Sequence, residues 1–257
     1  MIGHAAAFRG RFDFARRRPG RSPLKILWFD LSAALCRLVF QLCYRFRITG
    51  AALVPREGPC IFVSNHQSLL DPVIVGCAVI DRQFTAMARE SLFRFKPFAW
   101  LMRSYGAISL KEEGGDSTAF KAALAELHAG RSILIYPEGS RTENGALLAF
   151  QPGVSLLVRR AKVPVVPIGI EGAFEAWRRG QRFPHLQGRI EVEVGRAIAA
   201  DQLPRESEDL LRLLHARVSE LVARRGDAML RSGWRSPRFR DRWSVTRRPR
   251  PSRVPPR

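Results

Sequence analysis

The sequence is poor in cysteine, and the placement of its few cysteines excludes two classes of protein. Four cysteines, Cys36, Cys43, Cys60 and Cys77, occur in 257 residues, and all lie inside apolar runs. They form no Cys-x-x-Cys pair and no spacing typical of metal ligands. A metal site and a disulfide-stapled secreted scaffold are therefore not expected. We predict small buried thiols in a reducing compartment.

Acidic residues are also scarce, with 23 Asp and Glu against 43 Lys and Arg, which gives a net charge of +20. Residues 1–25 carry seven Arg or Lys and one Asp, and residues 224–257 carry twelve Arg and two Asp, leaving +4 for the rest. We predict basic, disordered tails at 1–24 and 226–257 that attract anionic membrane lipids. No helix-turn-helix, RNP motif or zinc finger is present, so specific nucleic-acid binding is not expected.

The chain has no uninterrupted apolar run of membrane-spanning length. The run from Ile26 to Tyr44 is broken by Asp30, Arg37 and Gln41, whose spacings of seven and four place them in one narrow stripe of a helix. We predict an amphipathic helical segment over 25–48 that lies in the membrane interface, with a soluble helix covering the sheet as the alternative. A secretory signal is not expected, because the run is charged and lacks a convincing cleavage site.

The segment 49–225 alternates short apolar runs with helical patterns and is predicted to be the catalytic domain. Strands are predicted at 60–64, 84–88, 106–110, 132–136, 164–170 and 189–194. Helices are predicted at 69–80, 91–104, 115–129, 152–161 and 206–224. This alternation indicates an α/β fold, a largely parallel mixed sheet flanked by helices. Ligands bind such sheets at the edge where the parallel strands end.

A histidine and an aspartate follow the first predicted strand of this segment. His66 and Asp71 are five residues apart, which is about 500° along a helix, so they can pair only if His66 lies in a turn and Asp71 in the first helical turn. Ser68 is the predicted N-cap, with Asp71 at the third helical position. The alternative is that Ser68 and Asp71 form a capping box that only starts a helix.

Two further runs are unusual. Tyr136-Pro-Glu-Gly-Ser-Arg-Thr142 follows a predicted strand and combines Glu138 and Arg141 with a glycine, which suits a phosphate or polar head group, or a turn held by a Glu–Arg pair. Val163-Pro-Val-Val-Pro167 places two prolines in a predicted strand, so that strand should be irregular or at an edge.

Together, Asn65-His66-x-Ser68-x-x-Asp71, Pro137-Glu-Gly-Ser-Arg141 and Val163-Pro-Val-Val-Pro167 resemble the ordered motifs of the glycerolipid acyltransferase family, which includes bacterial 1-acylglycerol-3-phosphate acyltransferases. The resemblance covers about residues 50–200. It implies acyl transfer from acyl-CoA or acyl-carrier protein to a lysophospholipid hydroxyl, without a bound cofactor, at the cytoplasmic face of the inner membrane.

The resemblance also implies roles for individual residues. His66 would be the general base, and Asp71 would hold its tautomer. Backbone donors near Gly139 would stabilise the oxyanion. Pro167 would shape the acyl-donor side. The substrate-binding residues would be Asn65, Lys111, Glu138, Gly139, Ser140 and Arg141.

One motif departs from the family pattern. The second block of the family usually reads Gly-x-x-Phe-Ile-x-Arg, but the matching stretch here, Gly106–Glu112, places Glu112 where the arginine is expected. Lys111 is adjacent to this position. Because side chains alternate along a strand, the Lys111 side chain would point to the other face. Because a carboxylate repels phosphate, the acceptor stays open between 1-acylglycerol-3-phosphate, giving phosphatidic acid, and another lysolipid, aminolipid or glycolipid.

A serine hydrolase built on His66 and Asp71 is a competing hypothesis. The nearest elbow-like run is Gly115-Asp-Ser117-Thr-Ala119, but it follows Lys-Glu-Glu-Gly and not a strand. The sequence therefore offers no good nucleophile for that reaction.

Overall fold

A computed structural model of the chain describes residues 22–79, 82–89, 107–110 and 117–232, with isolated positions 20, 96, 99, 100, 103 and 234. The helices are α1 (Pro23–Tyr44), α2 (Asp71–Ala78), α3 (Ser117–His128), α4 (Pro152–Ala161), α5 (Ala173–Ala176) and α6 (Ser207–Arg231). The strands are β1 (Arg47–Thr49), β2 (Ile61–Ser64), β3 (Phe84–Arg89), β4 (Ile108–Leu110), β5 (Ser132–Ile135), β6 (Val165–Glu171) and β7 (Glu191–Val194).

The seven described strands form one sheet in the order β1-β7-β6-β2-β5-β3-β4. All neighbours are parallel except β6 and β7, which confirms the predicted largely parallel mixed sheet with flanking helices. Because β2 and β5 are adjacent and parallel, the segments that follow them meet at one edge, called here the carboxyl edge. The runs that contain His66 and Glu138 are those segments.

The predicted element positions agree closely with the structure where it describes them. Helix α4 has the predicted bounds, and the six predicted strands are present within two residues at either end. Strand β1 was not predicted, because three residues of mixed polarity carry no strand signal until β7 supplies a partner. Helix α6 runs to Arg231, so the predicted tail start at residue 226 is wrong. Most of both tails and of the predicted helix at 91–104 lie outside the described residues.

The sheet has a core on each face. Side chains alternate along β2, so that Phe62 packs with α1 and α2 while Ile61 and Val63 pack with α3, α4 and α6. All three side chains are fully buried. Both faces of the central strands are therefore covered, as their continuous apolar runs require.

Helix α6 packs against β6 at unusually short range. A Cβ on Gly169 would lie 2.6 Å from the Cβ of Leu221 and 2.8 Å from its carbonyl carbon. Leu210, Leu214 and Val218 continue the buried stripe of this helix. Glycine at position 169 is thus what allows the helix to approach the strand.

The one proline of β6, Pro167, lies beside an irregularity in strand pairing. Strand β6 is central, but its pairing shifts by one residue between the Val165–Ile198 bridge and the Ile168–Val194 pair. Pro167 lies between these points, where its carbonyl accepts from Gly195 N at 2.8 Å. The prediction of an irregular strand is confirmed, because the missing proline N–H falls where regular pairing is interrupted.

The cysteines are free thiols, two of them buried and two half-buried. Burial raises the pKa of Cys60 and raises that of Cys77 to about 12. Such thiols stay protonated at neutral pH and are poor nucleophiles. The prediction of small buried hydrophobes is confirmed for these two.

Helix α1 is apolar on two opposite sides. It begins at Pro23, with the Ser22 side chain accepting from Lys25 N at 3.4 Å. One stripe (Ile26, Phe29, Ala33, Phe40 and Tyr44) is buried against the protein. The other is exposed and consists of Leu24, Leu27, Trp28, Leu31, Leu35, Leu38, Val39 and Leu42. At 22 residues the helix is long and apolar enough to cross a membrane by length and composition.

Candidate active site

The turn after β2 is folded around one buried carboxylate. Asp71 is fully buried, and its Oδ2 accepts from His66 Nδ1 at 2.8 Å, from Gln67 N at 2.6 Å and from Ser68 N at 2.7 Å. Asp71 is also the first residue of α2. The predicted contact between His66 in the turn and Asp71 in the first helical turn is confirmed.

The predicted cap is not in its expected place. Helix α2 begins at Asp71, two residues later than expected, and Leu70 at its N-cap makes no side-chain hydrogen bond. Ser68 Oγ accepts from Leu70 N at 3.2 Å and donates to Trp177 O at 2.8 Å. The hydrogen bonds of Ser68 and Asp71 therefore stabilise the turn before the helix. In that turn, three donors from residues 66–68 surround the Asp71 carboxylate.

His66 is held from several sides. Its backbone N donates to Glu138 Oε1 at 2.6 Å, and its carbonyl accepts from Thr142 N at 2.9 Å. Its ring stacks on Tyr136, with the centroids 3.9 Å apart and the planes 13° apart. The side chain is 19% exposed. With Nδ1 bonded to Asp71, Nε2 is the ring nitrogen that remains to exchange a proton.

Glu138 supports the histidine turn from the neighbouring strand. Its Oε1 accepts from His66 N, and its Oε2 accepts from Leu148 N at 2.8 Å. It is 4% exposed. Burial raises the pKa of Glu138 to about 7, although the two backbone donors oppose that shift. The acceptor-binding role expected for this carboxylate is not supported, since both oxygens bond to backbone amides.

Asn65 is similarly committed to the protein. Its Nδ2 donates to Ile170 O at 2.8 Å, and its Oδ1 accepts from Ile170 N at 2.8 Å, so the side chain continues the pairing of β2 with β6. It is 2% exposed. The expected substrate contact of Asn65 is therefore not supported, because the amide faces the sheet.

The remaining predicted binding residues lie at the carboxyl edge or beyond the described chain. Gly139 has a φ of +74° and donates its N–H to Tyr136 O at 3.1 Å, so this amide closes the turn and is not free for an oxyanion. Ser140 and Arg141 follow it and are half-buried. Lys111 and Glu112 lie outside the described residues.

Comparison with known proteins finds lysolipid acyltransferases among the similar sequences. A family model described as an acyltransferase matches residues 45–171. The human 1-acyl-sn-glycerol-3-phosphate acyltransferase beta is 28% identical over 162 residues, covering 62% of this chain and 58% of the relative. The lyso-ornithine lipid O-acyltransferase of Pseudomonas aeruginosa is 31% identical over 172 residues, covering 66% and 62%. This chain is therefore similar to glycerolipid acyltransferases, and residues 45–171 match the acyltransferase family model.

A solved structure has the same fold as this chain. The crystal structure of the 1-acyl-sn-glycerophosphate acyltransferase PlsC from Thermotoga maritima superposes with a TM-score of 0.69, covering 87% of this chain and 88% of that one at 21% identity. The alignments with the curated relatives from human, Brassica napus and Arabidopsis thaliana span 58%, 45% and 44% of those proteins.

Sequence reasoning missed two residues of the candidate site. Tyr136 stacks under His66. Gln67 is buried, donates to Gly145 O at 3.2 Å and accepts from Phe174 N at 3.3 Å, and so joins three loops. The only signal for Tyr136 was its place between a strand and Pro137. Neither contact is visible until the strand order is known.

Proposed function

We propose that the chain transfers a fatty acyl group from a thioester, acyl-CoA or acyl-carrier protein, to the hydroxyl of a lysolipid at a membrane surface. The observation that carries the proposal is the His66–Asp71 pair, with its 2.8 Å contact at the carboxyl edge and a partly exposed imidazole. The match of residues 45–171 to the acyltransferase family model supports the same reaction. A thioester is already activated, so no covalent enzyme intermediate is required.

The proposed mechanism follows from the hydrogen bonds of the imidazole. With Nδ1–H donated to Asp71, Nε2 takes the proton of the acceptor hydroxyl as its oxygen attacks the thioester carbonyl. The buried carboxylate fixes the tautomer and stabilises the imidazolium. The tetrahedral intermediate then expels the thiolate, which receives the proton back from Nε2. The products are an ester and a free thiol.

The leading acceptor is 1-acylglycerol-3-phosphate, giving phosphatidic acid, and a lyso-aminolipid is the second candidate. Relatives whose names specify the phosphate acceptor support the first. Glu112, in place of the expected arginine, and the lyso-ornithine lipid relative support the second. A carboxylate disfavours a phosphate and favours an amine.

Membrane contact through α1 is part of the proposal. The buried stripe of α1 packs along its length on the domain, which supports a helix lying in the interface more than one crossing the bilayer. At its end, Tyr44 O accepts from Ile190 N at 3.0 Å, beside the start of β7 at the carboxyl edge. An acceptor lipid would then reach His66 from the membrane plane, on the cytoplasmic side where acyl thioesters are made.

The catalytic assignment is tested with His66→Ala in the full chain. We expect turnover of labelled acyl-CoA with lysophosphatidate to be abolished while the circular dichroism spectrum and melting temperature stay close to those of the wild type. His215→Ala is the matched control, because His215 lies on α6 and contacts Phe150. Near-normal turnover by His66→Ala would remove the catalytic assignment.

The acceptor is tested with a panel that contains lysophosphatidate, lysophosphatidylcholine and lyso-ornithine lipid. We expect lysophosphatidate to be acylated fastest. Turnover of lyso-ornithine lipid alone would replace the leading acceptor with the second candidate. Hydrolysis of acyl-CoA without transfer to any acceptor, together with labelling by a fluorophosphonate, would favour the serine hydrolase hypothesis.

A further inference from the structure

The stacking of Tyr136 on His66 is closer and flatter than an ordinary packing contact. The ring centroids are 3.9 Å apart at 13°, whereas aromatic pairs in proteins usually lie about 4.5–7 Å apart and are offset or edge-on. Both rings follow parallel strands, Tyr136 immediately after β5 and His66 two residues after β2. The tyrosine therefore covers one face of the imidazole.

The hydroxyl of Tyr136 lies near enough to Asp71, the partner of His66, to be affected by its charge. It is buried and makes no hydrogen bond within the described residues, and the same is true of Asp71 Oδ1. Burial and the negative charge of Asp71 raise the pKa of Tyr136 well above its ordinary value, so the phenol stays protonated. The hydroxyl and Asp71 Oδ1 therefore do not bond to each other, and what the structure shows between the two residues is an electrostatic interaction.

We propose that Tyr136 is a positioning residue for the catalytic pair: its stacked ring holds the imidazole in plane. This inference rests on the proposed function of His66. The ring would keep Nε2 aimed at the acceptor hydroxyl. Its π face would also stabilise the imidazolium that forms when the proton is taken.

The ring and the hydroxyl are separated by comparing Tyr136→Phe with Tyr136→Leu. Phenylalanine keeps the stacked ring and removes the hydroxyl. Leucine removes both, so the difference between the two variants isolates the ring. In the described part of the chain, the titratable groups whose hydrogen bonds or ring contacts reach His66 are Asp71, Tyr136 and Glu138. Only Tyr136 changes in these variants.

The test measures kcat, KM and the pH profile of kcat/KM for the full chain with acyl-CoA and its best acceptor. We expect Tyr136→Phe to keep turnover within a few-fold of the wild type and to keep its acid limb, since the stacked ring remains and the hydroxyl makes no hydrogen bond. Tyr136→Leu should lose roughly tenfold or more in kcat with little change in KM. Its acid limb should lie about half a pH unit below that of Tyr136→Phe, because the imidazolium has lost the π face.

Phe84→Leu provides the structural control, since it removes a buried ring from the opposite end of the same sheet. Phe84 lies at the start of β3 and packs on Phe62 and Phe29. This variant should melt at a lower temperature with an unmoved acid limb. A Tyr136→Leu protein that behaves in the same way, or that keeps wild-type kcat, overturns the proposal. Equal losses and equal acid limbs in the two Tyr136 variants overturn the role of the ring.

His66→Ala, assayed in parallel, keeps the two hypotheses distinguishable. If His66→Ala is active, the proposed function of the pair fails whatever Tyr136 does. If His66→Ala is inactive while Tyr136→Leu is folded and fully active, only the positioning role fails.

Discussion

The turn that holds His66 buries polar atoms, whereas the outer face of α1 exposes apolar side chains. In the turn, polar atoms are buried and most of them are bonded to named partners, with three donors on one oxygen of Asp71. On the outer face of α1, eight large apolar side chains are exposed, and Leu24 and Leu42 are each 78% exposed. The polar atoms of the turn are mostly bonded to partners within the chain. The outer face of α1 is apolar and is suited to an apolar environment and not to water.

Helix α6 shows that such a face is not a general property of long helices here. It buries a comparable stripe, but its exposed positions carry Glu208, Asp209, Arg212, Ala216, Arg217, Glu220, Arg224, Asp227 and Arg231. The exposed positions of α1 include only Lys25, Arg37 and Gln41 as polar residues. Since both helices pack on the same sheet, packing on the domain does not account for the difference between their outer faces. A lipid surface suits α1, and water suits α6.

The largest effect is expected when the centre of the turn is changed. Asp71→Asn replaces the acceptor of three hydrogen bonds with a group that carries its own donors. We expect turnover to fall roughly 10³- to 10⁴-fold, since the imidazole loses its tautomer, and stability to fall by about 3 kcal/mol. Acyl-transfer assays and urea unfolding measure the two effects. Asp227→Asn, on the exposed side of α6, is the matched control, and more than a tenth of wild-type turnover in Asp71→Asn would contradict the prediction.

The next effect is expected on the outer face of α1, and it should leave stability unchanged. Leu31→Glu combined with Leu35→Glu removes two exposed leucines and adds two charges. We expect binding to phosphatidylcholine–phosphatidylglycerol vesicles to weaken about ten- to a hundredfold, while the free energy of unfolding changes by less than about 0.5 kcal/mol. Vesicle flotation and urea unfolding measure these quantities.

Arg212→Glu on α6 is the control for charge, because it lowers the net charge by the same two units. It should keep most of the vesicle binding. If it releases the protein as completely as the α1 variant does, then charge and not the apolar face holds the protein at the vesicle. If the α1 variant unfolds more easily, its leucines belong to the core and the contrast with the turn fails.

The sequence predicted one region better than the other, for a physical reason. The His66–Asp71 contact joins residues five apart, so local geometry was enough. The ring stacking of Tyr136 and the hydrogen bond of Glu138 both reach His66, which lies about seventy positions away in the chain. Both contacts depend on the pairing of Ile61 with Ile133. The sequence shows which chemical groups Tyr136 and Glu138 carry, but it does not show which residues those groups contact.

The prediction for α1 was limited in another way. Hydrophobic periodicity placed the polar stripe correctly but treated the rest of the helix as one wide apolar face. The structure divides that face in two, because the domain covers only one side. A sequence shows which side chains are apolar, and only the fold shows which of them remain exposed.

A smaller effect, dependent on pH, is expected at Glu138. Its pKa of about 7 lies above the ordinary value of 4.5, so the folded chain holds this proton more tightly than the unfolded chain does. Its contribution to stability is therefore complete below about pH 4.5 and is lost as the pH rises through 7. Glu138→Gln should remove this part of the slope in urea unfolding measured from pH 5 to pH 8. The variant should also lose about 1–3 kcal/mol, because its amide nitrogen faces a backbone N–H. An unchanged slope would mean that Glu138 is ionised throughout this range.

The smallest effect compares one hydroxyl in each region. Ser68 Oγ is buried and joins the turn to Trp177 O, 109 residues away, at 2.8 Å. Ser32 Oγ bonds to Phe29 O of its own helix at 2.9 Å. We expect Ser68→Ala to cost about 1–2 kcal/mol, since a buried carbonyl loses its donor. Ser32→Ala should cost about 0.5 kcal/mol or less, because alanine favours the helix and the carbonyl stays within it. Urea unfolding of both variants measures the difference. Equal costs would show that the turn gains no more from its polar contacts than α1 does, and the contrast between the two regions would then rest on the apolar side chains alone.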